Sequence, residues 1–226
     1  MKIFLPACLL FISSLSCQAQ TDSYALLTEA TTKLKNKSAT VSAILTDKKY
    51  LSIHPATPFR QLIEANATTE IIKITTTGEP GKKIRVLVTV TDKNGNSVTG
   101  ALVYLYQTDA RGWYAADMPH VLLNEGDMRH ARLFGYVKTN SMGQFELHTV
   151  KPSGYPGSDL PAHIHVHVIV PGYRPYVTEF LFDDDERLIG NSREQASRSQ
   201  FLISKPENAT APFDQQFSYK VLLEKE

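Results

Sequence analysis

Residues 84–96 read IRVLVTVTDKNGN and set the fold class of the chain. Branched aliphatic residues recur there at every second position, and a period of two places them on one face of a β-strand. They are Ile84, Val86, Val88 and Val90. Asn94-Gly95 is the dipeptide that two-residue hairpin turns favour, because both residues tolerate positive φ. The stretch predicts a half-buried strand ending in a tight turn, with Ala101–Gln107 as the returning strand.

Similar short runs occupy most of the chain after this turn. They are Arg132–Thr139, Gln144–Val150, Ala162–Val170, Tyr176–Phe182 and, near the end, Phe217–Leu223. Asn140–Gly143 supplies another turn, which predicts that one pair of these runs folds back on itself. Short strands at this spacing, with little helix between them, favour two packed antiparallel sheets. We therefore predict an all-β fold, an antiparallel β-sandwich, for residues 71–226.

Residues 20–70 predict a partly helical N-terminal extension. Asp22–Lys35 carries an apolar helical face that consists of Leu26, Leu27, Ala30 and Leu34. Thr57 followed by Pro58 is a suitable N-cap and first-turn pair for a second helix. Such an extension could form an arm that wraps the domain or builds a homodimer. A plain surface extension is the simpler expectation.

The first residues read as a targeting segment. Lys2 gives a minimal basic start, and Ile3–Leu15 is apolar but too short to span a bilayer. Small residues up to Ala19 suit cleavage, so residues 1–19 are predicted to be a signal peptide and the chain to be exported. Cys17 ends a weak lipoprotein-like sequence, so lipid attachment there is the alternative. No later run approaches the length of a transmembrane segment.

Composition narrows the class of protein. The chain has 226 residues, a length typical of one domain with an extension. Basic and acidic residues nearly balance, at 24 against 23, so charge does not point to nucleic acid or an anionic membrane as a partner. Cys8 and Cys17 are the two cysteines and both lie in the leader. The fold must therefore rest on a hydrophobic core rather than on disulfides.

The sequence Ala162-His163-Ile164-His165-Val166-His167 places three imidazoles in one row. On a strand, alternate side chains share a face, so the histidines point one way and the aliphatic residues point the other. Burying polar groups without partners costs roughly 1–3 kcal/mol each. A metal ion that takes the imidazole lone pairs removes this cost, so the row favours a metal site. An exposed edge strand that carries histidines for no chemical reason is the alternative.

Spacing alone leaves the metal open. A His-x-His pair suits zinc, copper or iron. No cysteine remains after cleavage, so thiolate sites are excluded for the mature chain. The chain has 10 tyrosines, and a phenolate is a hard anionic ligand that favours Fe(III) over softer divalent ions.

Several segments, in order, resemble those of the intradiol ring-cleavage dioxygenases. They are Val98–Gln107, the Asp-x-x-Gly-x-Tyr piece Asp109–Tyr114, the piece Gly143–Pro156 that contains Gly-x-Phe and ends in Tyr155-Pro156, and the His-x-His strand Pro161–His165. Each piece is weak evidence when taken alone. Their common order over residues 70–190 makes the resemblance specific. It implies a β-sandwich enzyme that opens catechol-type rings.

The resemblance also implies a site and a reaction. Members of the family bind one Fe(III) through two tyrosines and two histidines, which correspond here to Tyr114, Tyr155, His163 and His165. Tyr155 and Tyr114 are the implied catalytic residues, with Tyr155 as a base for the substrate. The substrates would be a small aromatic diol and dioxygen, and the product a muconate-type diacid.

Two positions depart from the family pattern. Leu160 stands where many members carry an arginine, and Glu179 stands where they carry a glutamine. Three arginines could replace the missing cation through space: Arg111, Arg132 and Arg174. We expect Arg132, His167, Leu160 and Glu179 to line the substrate pocket.

Other classes of protein remain open on the sequence. One is a non-catalytic, exported, transthyretin-like β-sandwich that binds a ligand. Another is a zinc or copper site on the histidine strand. The presence of all four implied iron ligands favours the enzyme over both.

Overall fold

The computed structural model describes residues 11–115 and 131–226, with side chains from residue 21 onward. Ten strands of this part form two sheets. The bounds of the strands are Thr68–Thr69 (β1), Ile71–Lys73 (β2), Lys83–Asp92 (β3), Leu102–Gln107 (β4), Leu133–Lys138 (β5), Gln144–Val150 (β6), His163–Ile169 (β7), Tyr176–Phe182 (β8), Leu202–Ser204 (β9) and Gln215–Leu223 (β10). One sheet has the order β1-β5-β4-β7-β8-β9 and the other β10-β3-β6-β2.

Helices precede the sheets and one helix follows them. Their bounds are Phe11–Lys35 (α1), Val41–Thr46 (α2), a 3-10 helix at Lys48–Ile53, Thr57–Ala65 (α3) and Gly190–Arg198 (α4). The predicted helix over residues 22–35 is confirmed and begins earlier. The N-cap of α3 is Ala56 rather than the predicted Thr57, which already lies inside the helix.

One hydrophobic core joins the two sheets. The alternating residues of β3 are buried as predicted, and so are Ile164 and Val166 of β7. Two ring contacts link β8 to β10 across the sheets. Phe180 stacks on Tyr219 at 4.2 Å between centroids, and Phe182 meets Phe217 edge-on at 4.7 Å. Pairs of this kind contribute about 0.5–1.5 kcal/mol each beyond the area they bury.

The prediction of purely antiparallel sheets is wrong. The central pairs β4–β5, β4–β7, β7–β8 and β3–β6 are antiparallel, but β1–β5, β2–β6, β3–β10 and β8–β9 are parallel. The two strands of each parallel pair are separated in the chain by helices or long loops, because parallel strands need a crossover connection. Hydrophobic alternation marks a strand but does not report the direction of its neighbour. The fold is thus two mixed sheets with several helices.

The predicted hairpin between residues 84 and 107 is also wrong beyond its turn. The turn itself forms, since Asp92 N–H donates to Asn96 O at 2.9 Å and Val98 N–H donates to Val90 O at 3.0 Å. The chain then leaves this sheet, and β4 pairs with β5 and β7 in the other one. The Asn140–Gly143 turn connects β5 to β6 across the sheets in the same way. A turn dipeptide fixes local backbone only and not the later partner.

The helical extension packs against the domain. Ala30, Tyr50, Phe59 and Ile63 are each fully buried and belong to the same core as the sheets. The guanidinium of Arg60 lies 3.8 Å from the Phe134 ring centroid on β5. A plain surface extension is therefore the wrong description of these helices.

The leader prediction concerns a region that the structure covers only in part. Residues 1–10 lie outside the described residues, and α1 runs without a break past Ala19. None of the helices in the described ranges combines the length and hydropathy needed to cross a bilayer. Signal-peptide cleavage and lipid attachment at Cys17 remain predictions.

Strand β7 places the histidine row. It lies between β4 and β8, and its core-facing residues alternate with the three histidines. In register, His165 lies opposite Tyr106 of β4 and Glu179 of β8. His167 likewise lies opposite Tyr104 and Val177. The outer face of this sheet thus carries a band of aromatic, imidazole and carboxyl groups.

Candidate metal centre

Four side chains converge at one end of β7. The Tyr114 hydroxyl lies 2.7 Å from the Tyr155 hydroxyl and 3.0 Å from His165 Nε2. His163 Nε2 lies 3.1 Å from the Tyr155 hydroxyl and 3.1 Å from His165 Nε2. The four contacts form a closed ring of two phenol oxygens and two imidazole nitrogens.

The two histidines present the same nitrogen to this ring. His163 Nδ1 lies 2.8 Å from the carbonyl oxygen of Pro161, which is placed to accept its proton. His165 Nδ1 lies 3.5 Å from Glu179 Oε1. A carbonyl or carboxylate on one ring nitrogen orients the imidazole and leaves the other nitrogen free to bind a metal. The Nε2 lone pairs of both residues therefore point into the centre.

Asp109 shapes the loop that carries Tyr114. Its Oδ1 accepts hydrogen bonds from the backbone N–H groups of Arg111 at 2.8 Å and Trp113 at 3.1 Å. Asp109 N–H donates to Trp113 O at 2.9 Å, which closes the turn. Burial opposes the ionisation of Asp109, but the hydrogen bond from Arg111 and the backbone donors hold its pKa below the usual value.

Arg132 stabilises this loop through hydrogen bonds to Asp109 and Tyr114. Its Nη2 donates to Asp109 Oδ2 at 3.0 Å and its Nη1 to Glu79 Oε2 at 2.9 Å. Its backbone N–H donates to Tyr114 O at 2.9 Å. Arg132 is only 8% exposed and does not line the cavity beside the centre. The expectation that it lines the pocket is wrong, because two buried carboxylates neutralise it elsewhere.

The loops that carry Tyr114 and Tyr155 pack backbone against backbone. Gly112 has φ +81°, and a Cβ there would lie 2.3 Å from Gly154 O. Ser153 N–H donates to Asp109 O at 3.1 Å, and Thr108 Oγ1 donates to Ser153 O at 2.7 Å. Only a glycine fits at position 112, because both its φ and its neighbour exclude a side chain. The backbones of the two loops that carry the phenols are therefore held against each other.

Burial disfavours charge on the phenols of the band. It raises the pKa of Tyr114 far above the usual value, and the neighbouring Tyr155 raises it further. Burial likewise raises the pKa of Tyr106, with Tyr104 adding to the effect. A phenolate at position 114 therefore requires a cation beside it, and metal binding there releases a proton.

The four donors fit one metal ion. Bonds of about 2.0–2.1 Å place neighbouring ligands about 2.9 Å apart when they subtend a right angle. The measured separations of 2.7–3.1 Å agree with this spacing. Two hard phenol oxygens with two imidazoles suit a trivalent ion better than a soft one.

A second metal-binding set overlaps the first. His163, His165 and Glu179 offer ligand atoms within 4.8 Å of one another. This wider set shares His163 and His165 with the alternative zinc or copper site on the histidine strand and adds Glu179. The contacts through Tyr114 and Tyr155 are shorter, and Glu179 approaches the Nδ1 side of His165, away from the convergence point.

A cavity of about 430 Å³ opens beside the centre. Three of the expected pocket residues line it: Leu160, His167 and Glu179. Tyr155, His163 and His165 also face it, whereas Tyr114 lies behind them. Burial raises the pKa of Glu179, with His163 opposing the effect, and burial lowers the pKa of His167.

Sequence reasoning missed the wall opposite β7. Helix α4 contributes Ser192 and Gln195 to the cavity, and Phe201 follows from the next turn. The helix buries only Ala196, so it shows no clear amphipathic pattern that could have revealed it. Tyr106 was also missed, although its place on the strand pattern of β4 gave a signal.

The other two arginines stand away from the cavity. Arg111 pairs with Asp109 at 2.6 Å and lies 4.0 Å over the Trp113 ring. Arg174 lies 3.8 Å from Glu224. Arg187 is nearer, and its Nη1 donates to the backbone oxygens of Tyr155 and Leu160 at 3.3 and 3.4 Å. This arginine braces the Tyr155 loop from outside the lining.

Two mixed sheets carry a two-tyrosine, two-histidine cluster beside a cavity, and this arrangement is a candidate metal centre. A family model described as Dioxygenase matches residues 57–225. The chain belongs to the intradiol ring-cleavage dioxygenase family. The match extends beyond the segments that carry the sequence resemblance and begins at α3.

Curated relatives agree with this membership. Chlorocatechol 1,2-dioxygenase of Rhodococcus opacus is 29% identical over 131 residues, which are 50% of this chain and 49% of that protein. The protocatechuate 3,4-dioxygenase alpha chain of Pseudomonas putida is 30% identical over 137 residues, which are 56% of this chain and 64% of that one. The chain thus spans about half to two thirds of the length of these relatives.

Solved structures show the same fold. Catechol 1,2-dioxygenase from Acinetobacter sp. ADP1 superposes with a TM-score of 0.57 at 17% identity, covering 70% of this chain and 58% of that one. The dioxygenase domain of a carbohydrate-binding fusion from Streptomyces sp. SirexAA-E gives 0.52 at 22% identity, covering 70% and 90%.

Proposed function

We propose that the protein is an Fe(III)-dependent dioxygenase that opens a catechol-type ring by the intradiol route and yields a muconate-type diacid. The observation that carries this proposal is the closed ring of contacts among Tyr114, Tyr155, His163 and His165. Family membership supports the reaction class. The substrates would be a small aromatic diol and dioxygen.

The same four residues would hold the ion. Bound Fe(III) would supply Lewis-acid chemistry to the diol. Its positive charge would also favour phenolate at Tyr114, a state that burial otherwise opposes.

Tyr155 is the tyrosine suited to handle a substrate proton. It faces the cavity, whereas Tyr114 lies behind it and is held on both sides by the Asp109–Arg132 network. A general base must lie within hydrogen-bond reach of the proton that it takes. The Tyr155 oxygen would accept a proton from one hydroxyl of the diol, and Tyr114 would remain a fixed ligand.

The cavity would orient the ring and exclude water. Its volume lies at the lower end of the range for small-molecule sites, which suits a single aromatic ring. Leu160, Val177 and Phe201 give an apolar wall on which a ring can lie. The histidine face of β7 forms the other wall.

The test is metal analysis joined to a visible spectrum. Purified protein loaded with Fe(III) should hold about one ion per chain and absorb visible light through tyrosinate-to-iron charge transfer. It should also take up oxygen with catechol, protocatechuate or hydroxyquinol. Tyr155→Phe should shift this band and slow turnover by about 100-fold or more, the scale of a lost acid–base group. Tyr173→Phe, outside the cavity lining, should leave both unchanged.

Other outcomes would support the competing classes. A colourless protein with one zinc or copper per chain would favour a site on the histidine strand. Failure to bind any of these metals would favour a non-catalytic binding module. Iron-loaded, coloured protein that consumes no oxygen with any of the three diols would reject ring cleavage for those substrates.

We further propose that residues 1–19 direct export and that residues 71–226 are the catalytic domain. The apolar run Ile3–Leu15 and the small residues before Ala19 support the export step. Intact mass and N-terminal sequencing of protein from the native host would test it. A mature chain beginning at Gln20 is expected, and a lipid-modified Cys17 would favour the alternative.

A further inference from the structure

The cavity beside the centre has an unbalanced charge. Of the lining residues that the structure describes, Glu179 is the one acid, and neither lysine nor arginine is among them. Leu160, Val177, Leu181 and Phe201 supply apolar surface around it. The arginines nearest in sequence to the lining are engaged with other groups: Arg193 pairs with Asp183, Arg198 lies 3.3 Å from Glu194 and Arg174 lies 3.8 Å from Glu224.

Glu179 lies on the wall of this cavity. It extends from β8 directly opposite His165, with its Oε1 3.5 Å from His165 Nδ1. Its side chain is 23% exposed, so water screens it only partly. Its strand has neighbours on both sides, β7 and β9, which limits its movement away from a ligand.

A negative substituent on the ring would meet this carboxylate at short range. Two like charges a few ångströms apart in a partly desolvated site repel strongly, because the effective dielectric is far below that of water. A like charge placed against a site is also a common way to reject a wrong ligand. A neutral or cationic substituent would not meet this penalty.

We propose that the site selects catechols without an acidic ring substituent and that Glu179 is the residue that rejects ring acids. This inference rests on the proposed function, because it assumes that a diol reaches the metal centre. The apolar wall then suits hydrogen, alkyl or halogen substituents, and Glu179 tolerates an amine.

A matched ligand pair tests the proposal without relying on turnover. 3,4-Dihydroxybenzoate and 3,4-dihydroxybenzamide have nearly the same shape and differ by one charge. Each would be titrated anaerobically into the Fe(III) protein at pH 8, where the carboxyl group of the free ligand is ionised because the usual carboxyl pKa is about 4.3, with the visible band as the readout. The amide should bind at least about tenfold more tightly than the acid.

Two variants assign this difference to its cause. Glu179→Gln keeps an acceptor for His165 but removes the charge, and should reduce the amide-to-acid ratio to within about threefold. Leu160→Arg adds a cation to the lining at a side chain that is 45% exposed, and should raise the affinity for the acid about tenfold even if Glu179→Gln loses iron. Glu224→Gln, outside the lining, should keep the wild-type ratio.

The possible failures are distinguishable. If neither diol perturbs the visible band, the proposed function fails. If both bind to the wild type within about threefold of each other, the proposed function stands and the selectivity is wrong. A ratio that Glu179→Gln leaves unchanged, with iron retained, would remove Glu179 as its cause.

Discussion

His163 and His165 differ in what holds their outer nitrogens. His163 Nδ1 faces a backbone carbonyl at 2.8 Å, whereas His165 Nδ1 faces the Glu179 carboxylate at 3.5 Å. The backbone partner is rigid and neutral, and the carboxylate makes its imidazole a stronger donor. His163 is also the more buried, at 6% exposure. We therefore expect His163 to be the less replaceable ligand.

The change His163→Ala should abolish stoichiometric iron binding and the visible band, because it removes one of four donors and the 3.1 Å contact between His163 Nε2 and the Tyr155 hydroxyl. Metal analysis after loading with Fe(III) measures the effect. His148→Ala is the control, since His148 lies on β6 in the other sheet. Full iron content in His163→Ala would move the metal site elsewhere.

The residues of the centre were partly readable from the sequence. Alternation on one strand predicts the common face of His163 and His165, and their flanking motifs point to Tyr114 and Tyr155. Glu179 was visible only as a departure from a family pattern. The true role of Arg132 could not be predicted, because its partners Glu79 and Asp109 lie 53 and 23 residues away in the chain.

Two turns of the chain are each capped by a buried aspartate, and they differ in what they carry. Asp109 caps the loop that holds Tyr114, and Asp92 accepts hydrogen bonds from the backbone of Asn94 and Asn96 after β3. Both carboxylates are 3% exposed. Loss of the Asp92 cap should leave the metal centre unchanged. Asp92 is therefore a matched control for Asp109.

We expect Asp109→Asn to lower the free energy of unfolding by about 3–5 kcal/mol, the usual cost of breaking a buried ion pair, and to displace the visible band of the iron-loaded protein. Chemical denaturation and absorption spectra measure these effects. Asp92→Asn should lower stability while leaving the band in place. The same band in both variants would contradict a positioning role for Asp109.

The glycine contact between the tyrosine loops gives a second prediction for these elements. Gly112→Ala adds a methyl group 2.3 Å from Gly154 O and should therefore separate the loops and weaken iron binding. Gly95 has a φ of +83°, nearly equal to that of Gly112, but it has open space around it. Gly95→Ala therefore measures the cost of backbone strain alone, about 1–3 kcal/mol. Retention of iron should differ between the two variants, as measured by dialysis against a chelator. Equal retention would argue against the coupling of the loops.

The existence of the longer strands was predictable, and the pairing of the strands was not. The strands from β3 to β8 are short alternating runs, which sequence reasoning detects well. The partner of a strand depends on contacts far along the chain, as the pairing of β10 with β3 shows. Helix α4 escaped detection because most of its residues are polar and exposed, and Ala196 is its one buried residue. Because α4 was not predicted, the residues that it contributes to the cavity, Ser192 and Gln195, were not predicted either.

His54 is a titratable group that has no part in the proposed chemistry and lies between Phe59 of α3 and Phe134 of β5. His54 is fully buried, stacks on Phe59 at 5.1 Å and lies 2.7 Å from the carbonyl oxygen of Arg132. Burial lowers its pKa from 6.5 to about 4; the hydrogen bond to the Arg132 backbone opposes this effect, and the charges of Arg60 and Arg132 add to it. The folded protein therefore keeps this imidazole neutral where the unfolded chain protonates it.

The sign of the resulting pH dependence follows from this difference. Between pH 6.5 and about 4 the unfolded state binds a proton that the folded state does not, so stability falls as the pH falls through this window. The shift is equivalent to about 3 kcal/mol. His54→Gln should flatten the slope of unfolding free energy against pH in this window. Slopes that match in the two proteins would contradict the assignment.

The position of β7 inside its sheet has a consequence for how the centre comes apart. Its backbone amides are paired with β4 on one side and β8 on the other, so they should exchange with deuterium only when the whole domain opens. The Tyr155 loop is tied by fewer hydrogen bonds and should exchange through smaller, more frequent openings. Loss of iron to a chelator should then begin at the phenolate side, at a rate set by the loop and not by global unfolding.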